Sequence, residues 1–255
     1  MEFSLASILS TALVIGARVS GLMLFAPFTS HAAVPPRIKA MLALTITAVL
    51  YPVFASRVEM VPVAQWPVLI ASELLVGVAI GITTNLVFEG AQMAGQVLSI
   101  QMGYSLVTIL DPTTQTENTV MSVFTQTMAL LIFLSLDVHH WILRGIVHSF
   151  DYLPAGAGGA NAEFTKQVLH VGGSILSVGV QIAAPVLIAS LVADVLLGLM
   201  GKASPQMPVM FLGPAVKGLF GLLLLSATVH YWPDLFGRLF EGSLATMEKT
   251  LRLAR

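Results

Sequence analysis

The sequence predicts an all-α, polytopic integral membrane protein, and three observations carry that reading. Of the 255 residues, 56% are hydrophobic and only 10% are charged, where a soluble domain has about 25% charged residues. Mean hydropathy is +0.88. The apolar residues are gathered into six long segments, most of them near the roughly 20 residues that a helix needs to cross a bilayer. The net charge of −1 and the absence of cysteine exclude a basic nucleic-acid surface, disulfides and thiolate-ligated metals.

In chain order the segments run from Ile8 to Phe28, Ala40 to Ser56, Pro67 to Phe88, Thr119 to Leu136, Val168 to Met200 and Met207 to Trp232. The first is predicted to stay in the protein. Only Glu2 precedes its apolar run, and its first basic residue, Arg18, follows that run instead of leading it, unlike a signal peptide. The second is short for a span. The fifth is long, so it must tilt, bend or leave the lipid. Pro52, Pro185 and Pro214 are the predicted kink sites.

The connections differ in character. HAAVPPRIK makes a stiff first turn, and Arg57 to Gln65 is short. Asp137 to Gln167 holds the patch GAGGAN and predicts a flexible loop. GKASPQ predicts a tight turn. The tail from Pro233 to Arg255 alternates apolar and charged residues, as an amphipathic helix does. Lys249, Arg252 and Arg255 at its end suit the helix dipole. The distribution of Lys and Arg over tail and loops tilts toward a cytoplasmic C-terminus.

The chain is organised around Glu89 to Val120, EGAQMAGQVLSIQMGYSLVTILDPTTQTENTV. Met93, Val97, Ile100 and Tyr104 make one apolar helix face. Glu89, Gln92, Gln96 and Ser99 make a polar one. Ala91, Gly95, Ser99 and Gly103, at strict four-residue spacing, make a ridge almost without side chains, where another backbone can approach. Ser105 to Leu110 is apolar, and Asp111-Pro112 ends it, because the residue before proline is turned away from helix. Thr114 and Glu117 have capping-box spacing for a helix starting near Asn118. A helix with three such faces suits a protein partner or a water-filled space. A plain re-entrant connector is the other reading that the pattern allows.

Four segments each carry one charge away from their ends: Arg18, Glu73, Asp194 and Lys217. Each costs roughly 2.5–3.5 kcal/mol at a helix centre facing lipid. Two readings follow, an ion or proton path, or pairing between helices. The balance of signs and the lack of clustering favour pairing. Gly77 and Gly81 form a GxxxG after Glu73, the spacing of a close helix contact.

No metalloprotease, phosphate-loop or serine-hydrolase motif is present, and nothing in the sequence points to an enzyme, a cofactor or a metal. His139 and His140 are adjacent, so on a helix they are predicted to point apart. Met93, Met102, Met121 and Met128 read as packing residues. A small secondary transporter using Glu73 and Asp194 is the competing class, but the internal repeat of broken helices that such proteins carry is not apparent.

Four separated motifs then resemble one family. They are Arg18, Pro27, Pro35, Arg37 and Lys39; Glu73 with Gly77 and Gly81; AGQVLSIQMGYSLVTILDP from Ala94 to Pro112; and PQMPVMFLGPAVKGLFG from Pro205 to Gly221, which opens on the turn residues Pro205-Gln206. In this order they resemble the FliR family, the export-gate subunit of flagellar type III secretion with a counterpart in virulence-type systems. The resemblance covers nearly the whole chain, and the match along QMGYSLVTILDP favours the flagellar branch.

The resemblance implies a FliP-like part over residues 1–165, a FliQ-like hairpin over 166–232 and the amphipathic tail over 233–255. It implies partners, namely FliP-like and FliQ-like membrane subunits and an FlhB-like export switch, with unfolded export substrates passing through their assembly. It implies a place in the bacterial inner membrane, in contact with lipid, at the flagellar basal body. It also implies a plug after Gln101, Met102 and Gly103, with Ile109 and Leu110 as its apolar constriction before Asp111 and Pro112. Family members can carry an aromatic where this chain has Ile109. Apolar constrictions block ions without strong bonds.

Overall fold

A computed structural model describes residues 5–27, 35–55, 62–104, 119–158, 161–204 and 209–254. Its helices are α1 (Leu5–Phe25), α2 (Pro36–Phe54), α3 (Trp66–Gln101), α4 (Val120–Ser135), α5 (Val138–Tyr152), α6 (Ala162–Ala203), α7 (Val209–Val229) and α8 (Trp232–Leu253), with a short 3-10 turn at Val63–Gln65. No strand occurs among the described residues. Four helical stretches are long and apolar enough to cross a membrane alone: Ile8–Phe25, Pro36–Phe54, Trp66–Gln101 and Ala162–Ala203. Two further pairs, α4 with α5 and α7 with α8, qualify as bent spans, so the total is four to six. The protein is an all-α polytopic membrane protein.

Local chemistry sets the helix starts. Pro35 is extended (φ −56°, ψ 142°) and Pro36 opens α2, a position where proline's missing N–H costs nothing. Thr119 caps α4, its hydroxyl accepting from the Ser122 N–H at 3.2 Å. The capping site is therefore Thr119, and the predicted capping-box residues Thr114 and Glu117 lie outside the described residues. Asn161 caps α6 by accepting from the Phe164 N–H at 2.7 Å. Pro52, Pro185 and Pro214 all lie inside helices.

Two expectations are corrected. The third apolar segment does not stop near Phe88. It continues through the polar-faced stretch as one helix of 36 residues, about 54 Å long at 1.5 Å per residue. Likewise, the loop expected from Asp137 to Gln167 contains α5. Val138, Ile142, Ile146 and Phe150 repeat every four residues and are all buried. The stripe was present in the sequence, but His139, His140, Arg144, His148 and Asp151 diluted its apolar average.

The chain divides into two compact units that interleave in sequence. The first holds residues Met1–Leu86, Asp137–Gly173 and Phe240–Arg255. In it α1 crosses the first half of α3 at a glycine contact, where a Cβ on Gly77 would lie only 3.0 Å from the Gly21 Cα. Phe54 packs on Phe150 with ring centroids 4.5 Å apart. Asn161 ties the end of α8 by donating to the Leu253 carbonyl at 2.7 Å.

The second unit holds Val87–Leu136 and Ser174–Leu239. Here the second half of α3 is enclosed by α4, α6 and α7. Gly95 meets the α4 backbone at Ser122 and the Thr125 hydroxyl. Thr125 also donates to the Ala91 carbonyl at 2.7 Å. Gly179 of α6 lies against Gly90 and Met93. The small ridge Ala91–Gly95–Ser99 is thus a packing ridge, with Ala91 and Ser99 buried.

Candidate functional site

The four charges within the spans form two pairs, one in each unit. Arg18 on α1 and Glu73 on α3 are fully buried. Arg18 Nε donates to Glu73 Oε2 at 2.6 Å. Its Nη1 donates to Ser149 Oγ at 3.0 Å and its Nη2 to the Leu153 carbonyl at 3.1 Å. The Gly156 N–H donates to Glu73 Oε1 at 2.8 Å. The guanidinium also stacks on Phe150, 3.9 Å from the ring centroid.

Every nitrogen of the fork and both carboxylate oxygens therefore have a partner, as a buried ion pair requires if desolvation is to be offset. The pair holds α1, α3 and the end of α5 together, and neither group has surface open to a passing ion. Ser149, Leu153 and Gly156 were not among the residues singled out from sequence. The four-residue apolar repeat of α5 is the signal that would have placed them on an ordered element.

The second constellation surrounds the end of α3. Lys217 on α7 is ion-paired with Asp194 on α6, their side chains 19% and 44% exposed. Gln101 Nε2 donates to Asp194 Oδ2 at 3.4 Å. Met102 is buried against α7. A Cβ on Gly221 would come within 2.7 Å of its Cγ, and one on Gly218 within 3.4 Å of its carbonyl oxygen. Gly103, with φ +80°, lies against Pro214.

The helix stops here for a definite reason. The Tyr104 N–H bonds to the Ser99 carbonyl at 2.9 Å and the Gly103 N–H to the Ile100 carbonyl at 3.1 Å. Those two bonds with a left-handed glycine between them are a Schellman closure. The structure thus brings together the two longest sequence motifs, QMGY at the end of α3 and GPAVKGLFG on α7. Gly77 and Gly81 lie instead at the α1 crossing in the first unit, where a Cβ on Gly81 would stand 2.9 Å from the Leu22 carbonyl oxygen. Ile109, Leu110, Asp111 and Pro112 lie outside the described residues, as do Pro205 and Gln206.

One further expectation is corrected. His139 and His140 do not point apart, since their ring centroids are 4.1 Å from one another. Both approach the carboxylate of Asp137, which adopts a left-handed conformation at φ 54° just before α5.

Comparison with known proteins adds a line of evidence independent of this geometry. Residues 9–243 match the family described as bacterial export proteins, family 1. The chain is similar to the flagellar biosynthetic protein FliR of Escherichia coli strain K12, 30% identical over 232 residues, covering 88% of this chain and 87% of the relative. It is also similar to the proteins of the same name from Bacillus subtilis strain 168, 25% identical with 92% of each chain covered, and from Caulobacter vibrioides, 26% identical over 88% of this chain and 92% of the relative.

Proposed function

The chain belongs to the FliR family, family 1 of the bacterial export proteins, and from that premise we propose that it serves as a gate subunit for flagellar protein export in the bacterial inner membrane. Residues 1–165 act as a FliP-like part and 166–232 as a FliQ-like hairpin, a division supported by the two long apolar helices α6 and α7 on either side of the 205–206 turn. The partners are FliP-like and FliQ-like membrane subunits and an FlhB-like switch protein. Unfolded export substrates pass through the assembly.

The observation that carries the gate role is the end of α3. The apolar sequence Ser105–Leu110 follows directly on a helix terminus that is closed at Gly103 and seated on α7 through Met102. A plug needs such an anchored base if its apolar tip is to return to one place. Ile109 is the constricting residue in this reading, and Asp111-Pro112 marks the limit of the plug.

Two experiments test the proposal. Extracted from its host in mild detergent, the tagged protein should co-purify in one large particle with two other small hydrophobic proteins. A lone monomer or homo-oligomer would refute the assignment as a gate subunit. Within the assembled gate, Ile109→Gly should raise ion leak across the membrane, since an apolar constriction blocks ions by dewetting. Leak equal to that of the unaltered gate would remove Ile109 from the seal.

A further inference from the structure

The cluster at the start of α5 has no part in either constellation, and its chemistry is that of a metal site. Asp137, His139 and His140 each offer one ligand atom, and the three atoms lie within 4.8 Å of one another. Asp137 Oδ1 is 3.5 Å from His140 Nδ1 and 3.9 Å from His139 Nε2. Ligand atoms held about 2.0–2.2 Å from a tetrahedral zinc stand roughly 3.4 Å apart. The observed separations therefore need only small side-chain rotations to close on an ion.

A second observation concerns Asp137 itself. An aspartate before a helix ordinarily accepts a hydrogen bond from an N–H of the first turn. Here the carboxylate makes no such bond and faces the two imidazoles. Its backbone is left-handed, alone among the described non-glycine residues. A left-handed conformation costs a residue with a side chain on the order of 1 kcal/mol or more. Asp137 thus gives up the usual cap and accepts a disfavoured backbone while presenting a carboxylate to two ring nitrogens.

Access is not an obstacle. The Asp137 and His140 side chains are 70% and 59% exposed, and His139 is half-buried at 33%. We propose that Asp137, His139 and His140 bind a borderline divalent cation of the zinc class, through two imidazoles and one carboxylate, with a fourth position open to water. Imidazole suits zinc, nickel and copper, whereas magnesium and calcium prefer all-oxygen shells. The chain has no cysteine to supply a softer site.

The test uses the full chain, purified in detergent with a tag free of histidine, stripped with a chelator and titrated with zinc by calorimetry. One zinc per chain is expected, with excess magnesium unable to compete. His139→Ala and His140→Ala together should weaken binding by at least about tenfold, the loss that even outer-shell changes can cause. His148→Ala should bind like the parent, because it removes a different histidine of the same helix, one paired with Asp151 at 3.3 Å.

Asp137→Gly removes the carboxylate while keeping a residue that accepts positive φ, so it decides the question if the histidine variants fail to accumulate. It too should bind about tenfold more weakly. Parent-like affinity in Asp137→Gly or in the double histidine variant, or no stoichiometric zinc binding by the parent, would overturn the assignment.

Discussion

Arg18→Met is expected to destabilise the protein by about 3–5 kcal/mol, the usual cost of leaving half of a buried ion pair. The substitution keeps most of the volume but strands the Glu73 carboxylate, which is fully buried, with only the Gly156 N–H to face it. It also removes the donors to Ser149 Oγ and the Leu153 carbonyl. Resistance to unfolding in a denaturing detergent series, together with the amount of protein held in the membrane, would measure the effect. Arg18→Lys should fall between, because an ammonium cannot reproduce the three-way fork. The double variant Arg18→Met/Glu73→Leu should recover part of the loss by removing the unpaired charge. Full recovery is not expected, since the Leu153 carbonyl and the Gly156 N–H stay unpaired. A double variant no better than Arg18→Met would show that the two charges are not coupled.

The second large effect is expected at the glycine crossing. A Cβ on Gly77 would fall on the Arg18 carbonyl and stand 3.0 Å from the Gly21 Cα. The obstructing atoms are backbone, so no rotamer change relieves the overlap, and α1 must move away from α3. Overpacking typically costs 1–3 kcal/mol, and Gly77→Ala should reach about the top of that range or exceed it, because the same displacement draws Arg18 off Glu73. For that reason it should not add to Arg18→Met, as expected for neighbours that share one contact. Gly172→Ala is the control. Nothing lies within 4 Å of a Cβ built there, so the helix-favouring methyl should leave stability unchanged or raise it by up to about 1 kcal/mol. If Gly77→Ala melted like Gly172→Ala, the close approach of the two helices would be disproved.

Much of this architecture is legible in the sequence, and its gaps have physical causes. The apolar segments announce themselves because lipid demands unbroken hydrophobicity over a fixed length. The Gly77–Gly81 spacing marks a close contact because only a bare backbone permits one. What cannot be read locally is which charge meets which. Arg18 could have paired with Asp194 as easily as with Glu73, since the choice depends on helix neighbours 55 positions apart in the chain. The helix α5 was missed because its polar face is rich in histidine and charge, so its apolar stripe sinks in any running average. The stacked histidines were misjudged because the left-handed turn at Asp137 lies outside what helical spacing describes. The stop of α3 at Gly103 was written in one residue, but a glycine becomes a terminus only when the next amides fold back on the last carbonyls.

That fold-back has an allosteric consequence. Because the Ser99 and Ile100 carbonyls are satisfied from within the turn, α3 is a closed cooperative unit that borrows no hydrogen bond from beyond Tyr104. Amide exchange along α3 should then report a single protection level up to its final turn, indifferent to substitutions downstream of that turn. A gate built on such a helix can be retuned by mutating its tip without fraying the shaft, so seal strength and scaffold strength are free to evolve separately.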